Sequence, residues 1–541
     1  MPDPLPSPPK PARSFAGIAG IVAVATLLSK LVGLLRQQAI AAAFGVGVAA
    51  DAYSYAYVIP GFLLILLGGI NGPFHSAIVS VLSRRKDEDA APLIETITTL
   101  VVGLLLVVTV LLVIFAAPLI DLCAPGLSQT EVGQQTRLIA IQQFRIMAPM
   151  AVLAGLIGIG FGTLNAADQY WLPSVSPLFS SVTVLIGLGI LALQLGSTIT
   201  APEYALLGGV VLAWSTLAGA LLQWLIQLPA QWQSGMGKLR LRFEFWRPGV
   251  KEIIRIMGPA TFSSGMLQIN VYTDLFFAST IPQAAAALGY ANLLVQTPLG
   301  VISNLILVPL LPMLSRLADP QDWDELKRRI RQGLLLSALT MLPLSAIIIA
   351  LAFPIVRVVY ERYAFNQQAS LVVTQVLIAY AVGMFFYLSR DVLVRVFYAL
   401  GDGDTPFRIS VVNIFLNALL DFLLVKSFGA AGLVMATVGV NAISMVWLLL
   451  LLARKINGLP WREWGIPLAQ ITLASLVAGI VCWGLRWNLE AGLGTEGMLV
   501  QLLQLAIAGG AGLLCFGLIA SRLGLPEVDQ LAGQIRQKFG R

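Results

Sequence analysis

Lys30, Arg36 and Asp51 stand inside an otherwise apolar run, 26–60, which reads TLLSKLVGLLRQQAIAAAFGVGVAADAYSYAYVIP. A charge at membrane depth costs roughly 2.5–3.5 kcal/mol on insertion scales, so such groups face a protein interior or a water-filled path. The chemistry open to the two cations is anion recognition, because ammonium and guanidinium groups make charge-assisted bonds to phosphate oxygens. Arg145, Arg390 and Arg395 lie in or near other apolar segments. They could join such a site or extend their long side chains to the membrane interface. Lys30 and Arg36 are six residues apart, about 120° from each other on a straight helix. A bend at Gly33 would bring both to one cavity. Asp51 is open to two roles, a counter-ion or a helix N-cap.

A second constellation is made of oxygens. Asn417 and Asp421 are four apart and share a helix face, Thr437 follows Leu433 by four on the next segment, and Asp274 lies in a separate apolar stretch. Carboxylate, amide and hydroxyl oxygens suit a hard cation. The competing reading pairs Asp421 with Lys426 at an interface and leaves Asp274 near a surface. His75, the only histidine, is close to Asn71 and Gly72 and reads as a hydrogen-bonded structural residue before a proton relay. Cys123, Cys482 and Cys515 are far apart, with neither CxxC nor Cys/His spacing, so they imply no zinc site and no disulfide framework. The sequence holds no nucleophile, base and orienter set and no phosphate-cradling glycine loop. Gly401-Asp402-Gly403-Asp404 fits a tight turn better than a metal-dependent sugar transferase. These absences argue against an enzyme.

The elements that must carry these residues are membrane helices. The 541 residues are 57% hydrophobic and 11% charged, where soluble domains carry about 25% charged residues. Runs of about 20 apolar residues, enough to cross about 30 Å of hydrocarbon, are expected near 15–42, 52–82, 92–117, 137–165, 174–196, 204–229, 250–281, 285–315, 332–356, 370–400, 406–426, 430–453, 464–486 and 498–521. This predicts an all-α polytopic membrane protein of about 14 transmembrane helices, with very short links around Gly45 and Pro282. Lys and Arg collect in alternate loops, including 238–255, 316–331 and 454–462, which places both termini in the cytoplasm. The net charge of +7 is then a topology signal and not a nucleic-acid footprint. Residues 1–14, rich in Pro, are expected to form a disordered cytoplasmic tail. Loops 231–247 and 319–332 are basic and amphipathic, suited to the cytoplasmic surface.

Two landmarks recur at one offset. Leu82-Ser83-Arg84 returns as Leu314-Ser315-Arg316, 232 residues on, and Pro173 after Asp168 returns as Pro406 after Asp404, 233 residues on. This suggests a six-span repeat, and repeats in transporters commonly place the substrate path at their interface. The expected layout is an N-terminal lobe at 15–229, a linker at 230–249, a C-terminal lobe at 250–455, and two further helices with a tail at 456–541.

The run Ser29 to Arg36, with Ala43-Phe44-Gly45, Asp51-Ala52, Ile59-Pro60, Leu67-Gly68-Gly69, Gly258-Pro259-Ala260, Tyr290-Ala291, Pro298, Leu311-Pro312, Phe397-Tyr398-Ala399 and Thr405-Pro406, resembles the MurJ (MviN) lipid II flippases over roughly residues 15 to 460. The resemblance implies the MOP exporter superfamily, two six-helix lobes around a cavity, two C-terminal helices with a groove for a lipid tail, and alternating access. It also implies export of lipid II, the undecaprenyl-diphosphate-linked peptidoglycan precursor, by a monomer in the bacterial cytoplasmic membrane, with membrane lipids as its other contacts. Arg36 and Asp51 match functional charges of the family, and Lys30 replaces an Arg, keeping the charge but losing the bidentate fork. Gln37 stands where the family often has Asp. Leu293 and Gln296 stand where it often has charges, so the headgroup would be held by fewer cations, with Asn71, His75, Gln296, Arg390 and Arg395 as additional contacts. No cofactor is required by the resemblance. It does imply a possible sodium ion on Asp274, Asn417, Asp421, the Leu433 carbonyl and Thr437. A flippase for another polyprenyl-diphosphate glycan and a cation-coupled exporter of small amphiphiles are the alternatives.

Overall fold

The computed structural model describes residues 15–69, 72–82, 87–529 and 533, and among them no strand occurs. In hydrocarbon every backbone N–H and C=O must be satisfied within the protein, and a helix does this within itself. The first half is built from α1 (Phe15–Phe44), α2 (Val48–Gly68), α3 (Pro73–Leu82), α4 (Asp87–Ile114), α5 (Ala116–Cys123), α6 (Glu131–Met147), α7 (Met150–Ala166), α8 (Trp171–Leu195), α9 (Ala205–Leu225) and α10 (Gln227–Gln233). The remainder is α11 (Pro248–Leu267), α12 (Ile269–Ala278), α13 (Ala284–Ser315), α14 (Trp323–Tyr360), α15 (Gln367–Ala399), α16 (Asp404–Lys455), α17 (Trp461–Leu493) and α18 (Met498–Ala520).

Ten of these helices are long and apolar enough to cross a membrane, and eleven if the pair α6 and α7, bent by 42°, is counted as one span. The expected count of 14 is not confirmed: α1 and the stretch 250–281 are not among the ten, α2 alone stands for 52–82, and α16 is counted once. The stretch 52–82 is interrupted between Gly68 and Pro73, and 250–281 is interrupted at Gln268, so each divides into two shorter helices. The two stretches 406–426 and 430–453 merge into the 52-residue α16, which turns at Gly429, where φ is +57°. A left-handed φ of that kind is open to glycine without a Cβ clash. The short links around Gly45 and Pro282 are present, between α1 and α2 and between α12 and α13.

The tail 1–14 and the landmark residues Ser83 and Arg84 lie outside the described residues. Large apolar side chains such as Leu104, Leu193, Leu514 and Leu518 are exposed on the outer faces, as expected where hydrocarbon is the solvent. The largest buried cluster reaches from Phe44 and Val46 through Tyr290 and Leu299 to Val373 and Leu388. It therefore joins the end of α1 to α13 and α15, across the two halves.

Candidate substrate path and cation cluster

The halves meet at the end of the bundle marked by Gly45, Gly126 and Pro282. Asp51, in the first turn of α2 and 3% exposed, accepts the Ala286 N–H at 3.0 Å through Oδ1, and the backbone groups of Gln283 and Ala285 also point to its carboxyl. Gln283 precedes α13 with φ +69° and supplies no side-chain cap. Asp51 thus caps α13 from another element, satisfying N–H groups that a helix start leaves open. Of its two expected roles, the geometry assigns the cap, applied to a helix 235 residues away.

Further contacts close the same end. Tyr290 Oη donates to the Gly45 carbonyl at 2.8 Å, Ala364 N–H donates to the Ala42 carbonyl at 3.0 Å, and Gly126 N–H donates to Ser279 Oγ at 2.9 Å. Tyr360 Oη donates to the Tyr290 carbonyl at 3.1 Å, and Tyr290, Tyr360 and Phe365 pack their rings 5.1–5.5 Å apart. Gly45 has φ +57°, and a Cβ on it would lie 2.6 Å from the Ala364 carbonyl oxygen. Backbone approaches backbone there because no side chain intervenes.

Away from that closure, α1 presents its cations. Lys30 is exposed, and a Cβ on Gly300 of α13 would come 3.4 Å from its Nζ. Gln296, exposed and one turn before Gly300, lies on the same face of α13. Lys30 and Gln296 are therefore brought into one region between the halves, and Lys30 has no ion-pair partner among the described residues. Arg36 is half-buried, its Nε is buried without a hydrogen-bond partner, and it lies within Coulombic reach of Tyr53 and Tyr57. Those two rings stack at 5.4 Å, and Tyr53 Oη is 3.0 Å from Thr216 Oγ1.

Arg395, Arg390 and His75 have other partners. Arg395 donates through Nη1 to the Leu307 carbonyl at 3.1 Å, and Arg390 lies 3.9 Å from Asp391. Asn165 Nδ2 donates to His75 Nε2 at 2.6 Å, tying α7 to α3. Asn71 lies outside the described residues.

The oxygen cluster is assembled. Asn417 Nδ2 donates to Asp274 Oδ1 at 2.8 Å and to Asp421 Oδ2 at 2.9 Å. Thr437 Oγ1 lies 3.4 Å from Asp274 Oδ2, 3.4 Å from Asn417 Oδ1 and 3.3 Å from the Leu433 carbonyl. Asp421 is fully buried, and its Oδ1 has no hydrogen-bond partner. An orphaned carboxylate oxygen beside four other oxygen-bearing groups fits a hard cation, which takes carboxylate, amide and carbonyl ligands. The pairing of Asp421 with Lys426 does not form, since Lys426 Nζ instead lies 5.5 Å over the Phe422 ring.

The closure residues Ser279, Tyr360 and Phe365 carry no signal in the sequence. Tyr290 was visible as part of the Tyr290-Ala291 motif, but its hydroxyl partner was not, because the contact spans 245 residues.

The family model described as "Lipid II flippase MurJ" matches residues 40–500. The chain is 58% identical over 532 residues to a "Probable lipid II flippase MurJ" of Synechocystis sp., covering 98% of this chain and 99% of that protein. It is 30% identical to the "Lipid II flippase MurJ" of Burkholderia cenocepacia, covering 85% and 88%. Its fold is similar to a solved structure described as "Lipid II flippase MurJ, inward closed conformation", with a TM-score of 0.72 at 22% identity over 93% of this chain and 98% of that one. It is also similar to an inward-facing multidrug resistance MATE family transporter of the MOP superfamily, with a TM-score of 0.58 at 16% identity over 81% and 98%. Matched along nearly its whole length, the chain belongs to the MurJ family of lipid II flippases.

Proposed function

We propose that this protein moves lipid II from the inner to the outer leaflet of the bacterial cytoplasmic membrane by alternating access, as a monomer with both termini cytoplasmic. The observation that carries the reading is Lys30, a free cation on α1 facing Gln296 and Gly300 of α13 beneath a closed interlobe contact. A diphosphate headgroup needs positive charge in a path that hydrocarbon otherwise forbids to it, and a charge so placed has that use. The closed end at Asp51 and Tyr290 would face the periplasm, leaving Lys30 and Arg36 open to substrate from the cytoplasmic side. The lipid tail would stay in the bilayer.

Complementation in cells depleted of their own lipid II flippase tests this. The wild-type chain rescues growth, and Lys30→Ala and Arg36→Ala fail at equal membrane abundance. Failure of the well-expressed wild type refutes the substrate and favours another polyprenyl-diphosphate glycan, the reading that the uncharged Leu293 and Gln296 support.

Asp274, Asn417, Asp421, the Leu433 carbonyl and Thr437 would hold a sodium ion, which when bound supplies a link between α12 and α16. A ligand that binds only the folded state raises its stability by mass action. The melting temperature should therefore rise with sodium chloride but not with choline chloride at equal ionic strength. Asp421→Asn should abolish the difference, and its persistence in that variant would rule the site out.

A further inference from the structure

The connection between α10 and α11 is not a free loop. Residues 238–247, Lys-Leu-Arg-Leu-Arg-Phe-Glu-Phe-Trp-Arg, run without helix or strand, yet their backbone is anchored along α4. Lys238 N–H donates to Glu95 Oε1 at 3.1 Å, and Arg242 N–H donates to Thr99 Oγ1 at 3.0 Å. Arg242 Nε lies 3.5 Å from Glu95 Oε2. Just before them, a Cβ on Gly237 would lie 3.2 Å from the Ala91 carbonyl. From Ala91 to Thr99 the anchors advance eight residues, about 12 Å along a helix axis. Glu95 is 6% exposed, and this segment accounts for the presence of a buried carboxylate on α4.

The anchored segment turns its apolar side chains away from the protein. Leu241 is 79% exposed, Phe243 68% and Trp246 99%, and the Phe243 and Phe245 rings meet edge to face at 5.8 Å. Its charges are predominantly positive, with Lys238, Arg240, Arg242 and Arg247 against Glu244. Arg242 and Arg247 share Glu244 at 3.6 and 3.4 Å. Lys238 and Arg240 are exposed and have no ion-pair partner among the described residues. Large apolar side chains alternating with cations, fixed beside a membrane span at its basic-loop end, are the composition of a segment seated at a lipid interface. Juxtamembrane cations there attract anionic headgroups.

We infer that residues 238–247 form an interfacial strap that inserts Leu241, Phe243 and Trp246 below the headgroups of the leaflet at the basic-loop end and binds anionic lipid headgroups through Lys238 and Arg240. The strap is the covalent link between α10 of the first half and α11, which packs against α3 and α4. Anionic lipid is therefore a ligand of the connection between α10 and α11, separate from the path at Lys30.

The test uses the full-length protein in nanodiscs of phosphatidylcholine, with or without phosphatidylglycerol, carrying a phosphatidylcholine brominated just below the headgroup. The difference between wild type and Trp246→Phe isolates Trp246 from the other tryptophans. Its emission should be blue-shifted and lose about half its intensity or more to bromine, as for a ring about 5–10 Å into the interface. Phosphatidylglycerol should strengthen the quenching, and the double variant Lys238→Gln, Arg240→Gln should lose that increase while keeping the basal quenching. Native mass spectrometry should show fewer retained phosphatidylglycerol molecules on the double variant. Water-like emission untouched by bromine overturns the insertion, and quenching or lipid retention indifferent to lipid charge overturns the headgroup assignment.

Discussion

Removing the Asp51 carboxylate should open the closed end of the molecule, and the structure sets the scale. Asp51 Oδ1 holds the Ala286 N–H at 3.0 Å from a buried position, and a hydrogen bond to a charged group is worth about 1.5–3 kcal/mol. A negative charge at a helix N-terminus adds about 0.3–1 kcal/mol. Asp51→Ala should thus cost the closed arrangement roughly 2–4 kcal/mol, and at 1.4 kcal/mol per tenfold the closed-to-open ratio should fall roughly 30- to 700-fold. Asp51→Asn keeps an accepting oxygen and loses the charge, so about 1–2 kcal/mol, or roughly 5- to 30-fold, is expected. The assay is a spin-label distance across the end. Gln129 of the first half and Thr280 of the second, which line one crevice with Asp51 and Gly126, carry the labels after Cys123, Cys482 and Cys515 are replaced. The wild type should give one short distance, Asp51→Ala a dominant longer one, and Asp51→Asn a mixture. An unchanged short distance in Asp51→Ala would refute the cap as the element that holds the halves together.

The same label pair reads two related changes. Gly45→Ala places a Cβ 2.6 Å from the Ala364 carbonyl oxygen at a φ of +57°, and a non-glycine residue forced there costs about 1–3 kcal/mol. It should lengthen the distance without touching any charge. Asp121 on α5, outside the candidate spans, accepts at both carboxylate oxygens from Nε and Nη2 of Arg137, and this pairing holds its carboxyl below the ordinary value of 3.8. A depressed carboxylate contributes stability that is full above the unfolded value and is lost as pH falls through the folded one. Relative to intrinsic rates, amides of 116–137 should therefore show an excess of exchange at pH 3 over pH 6, and Arg137→Gln should remove the excess. Equal excess in that variant would show that another group controls the segment.

Much of the architecture was legible in the chain because hydrocarbon leaves few choices. Apolar runs with basic residues between them dictate helices, and Lys30 and Arg36 inside such a run announce a path, since their desolvation is unfavourable anywhere else. The i, i+4 spacing of Asn417 and Asp421 fixed a shared face, and local geometry carried that pair intact into the oxygen cluster. The span count was less legible. The interruptions after Gly68 and at Gln268, and the joining of two stretches through Gly429, depend on packing against neighbours, and an apolar run reads the same whether its helix is straight, broken or fused.

What only the tertiary structure decided are the contacts between residues far apart in sequence. Asp51 was visible as a charge, but which helix it caps depended on α13 arriving with its N-terminus beside α2. Arg395 reads as a free cation until the Leu307 carbonyl is placed within reach of it. Glu95 carried no signal at all in the sequence, because its hydrogen-bond donor is the Lys238 backbone N–H, 143 residues away, and every residue but proline offers the same N–H. Side-chain type specifies what a group can bind, while chain packing specifies which identical backbone groups are there to be bound.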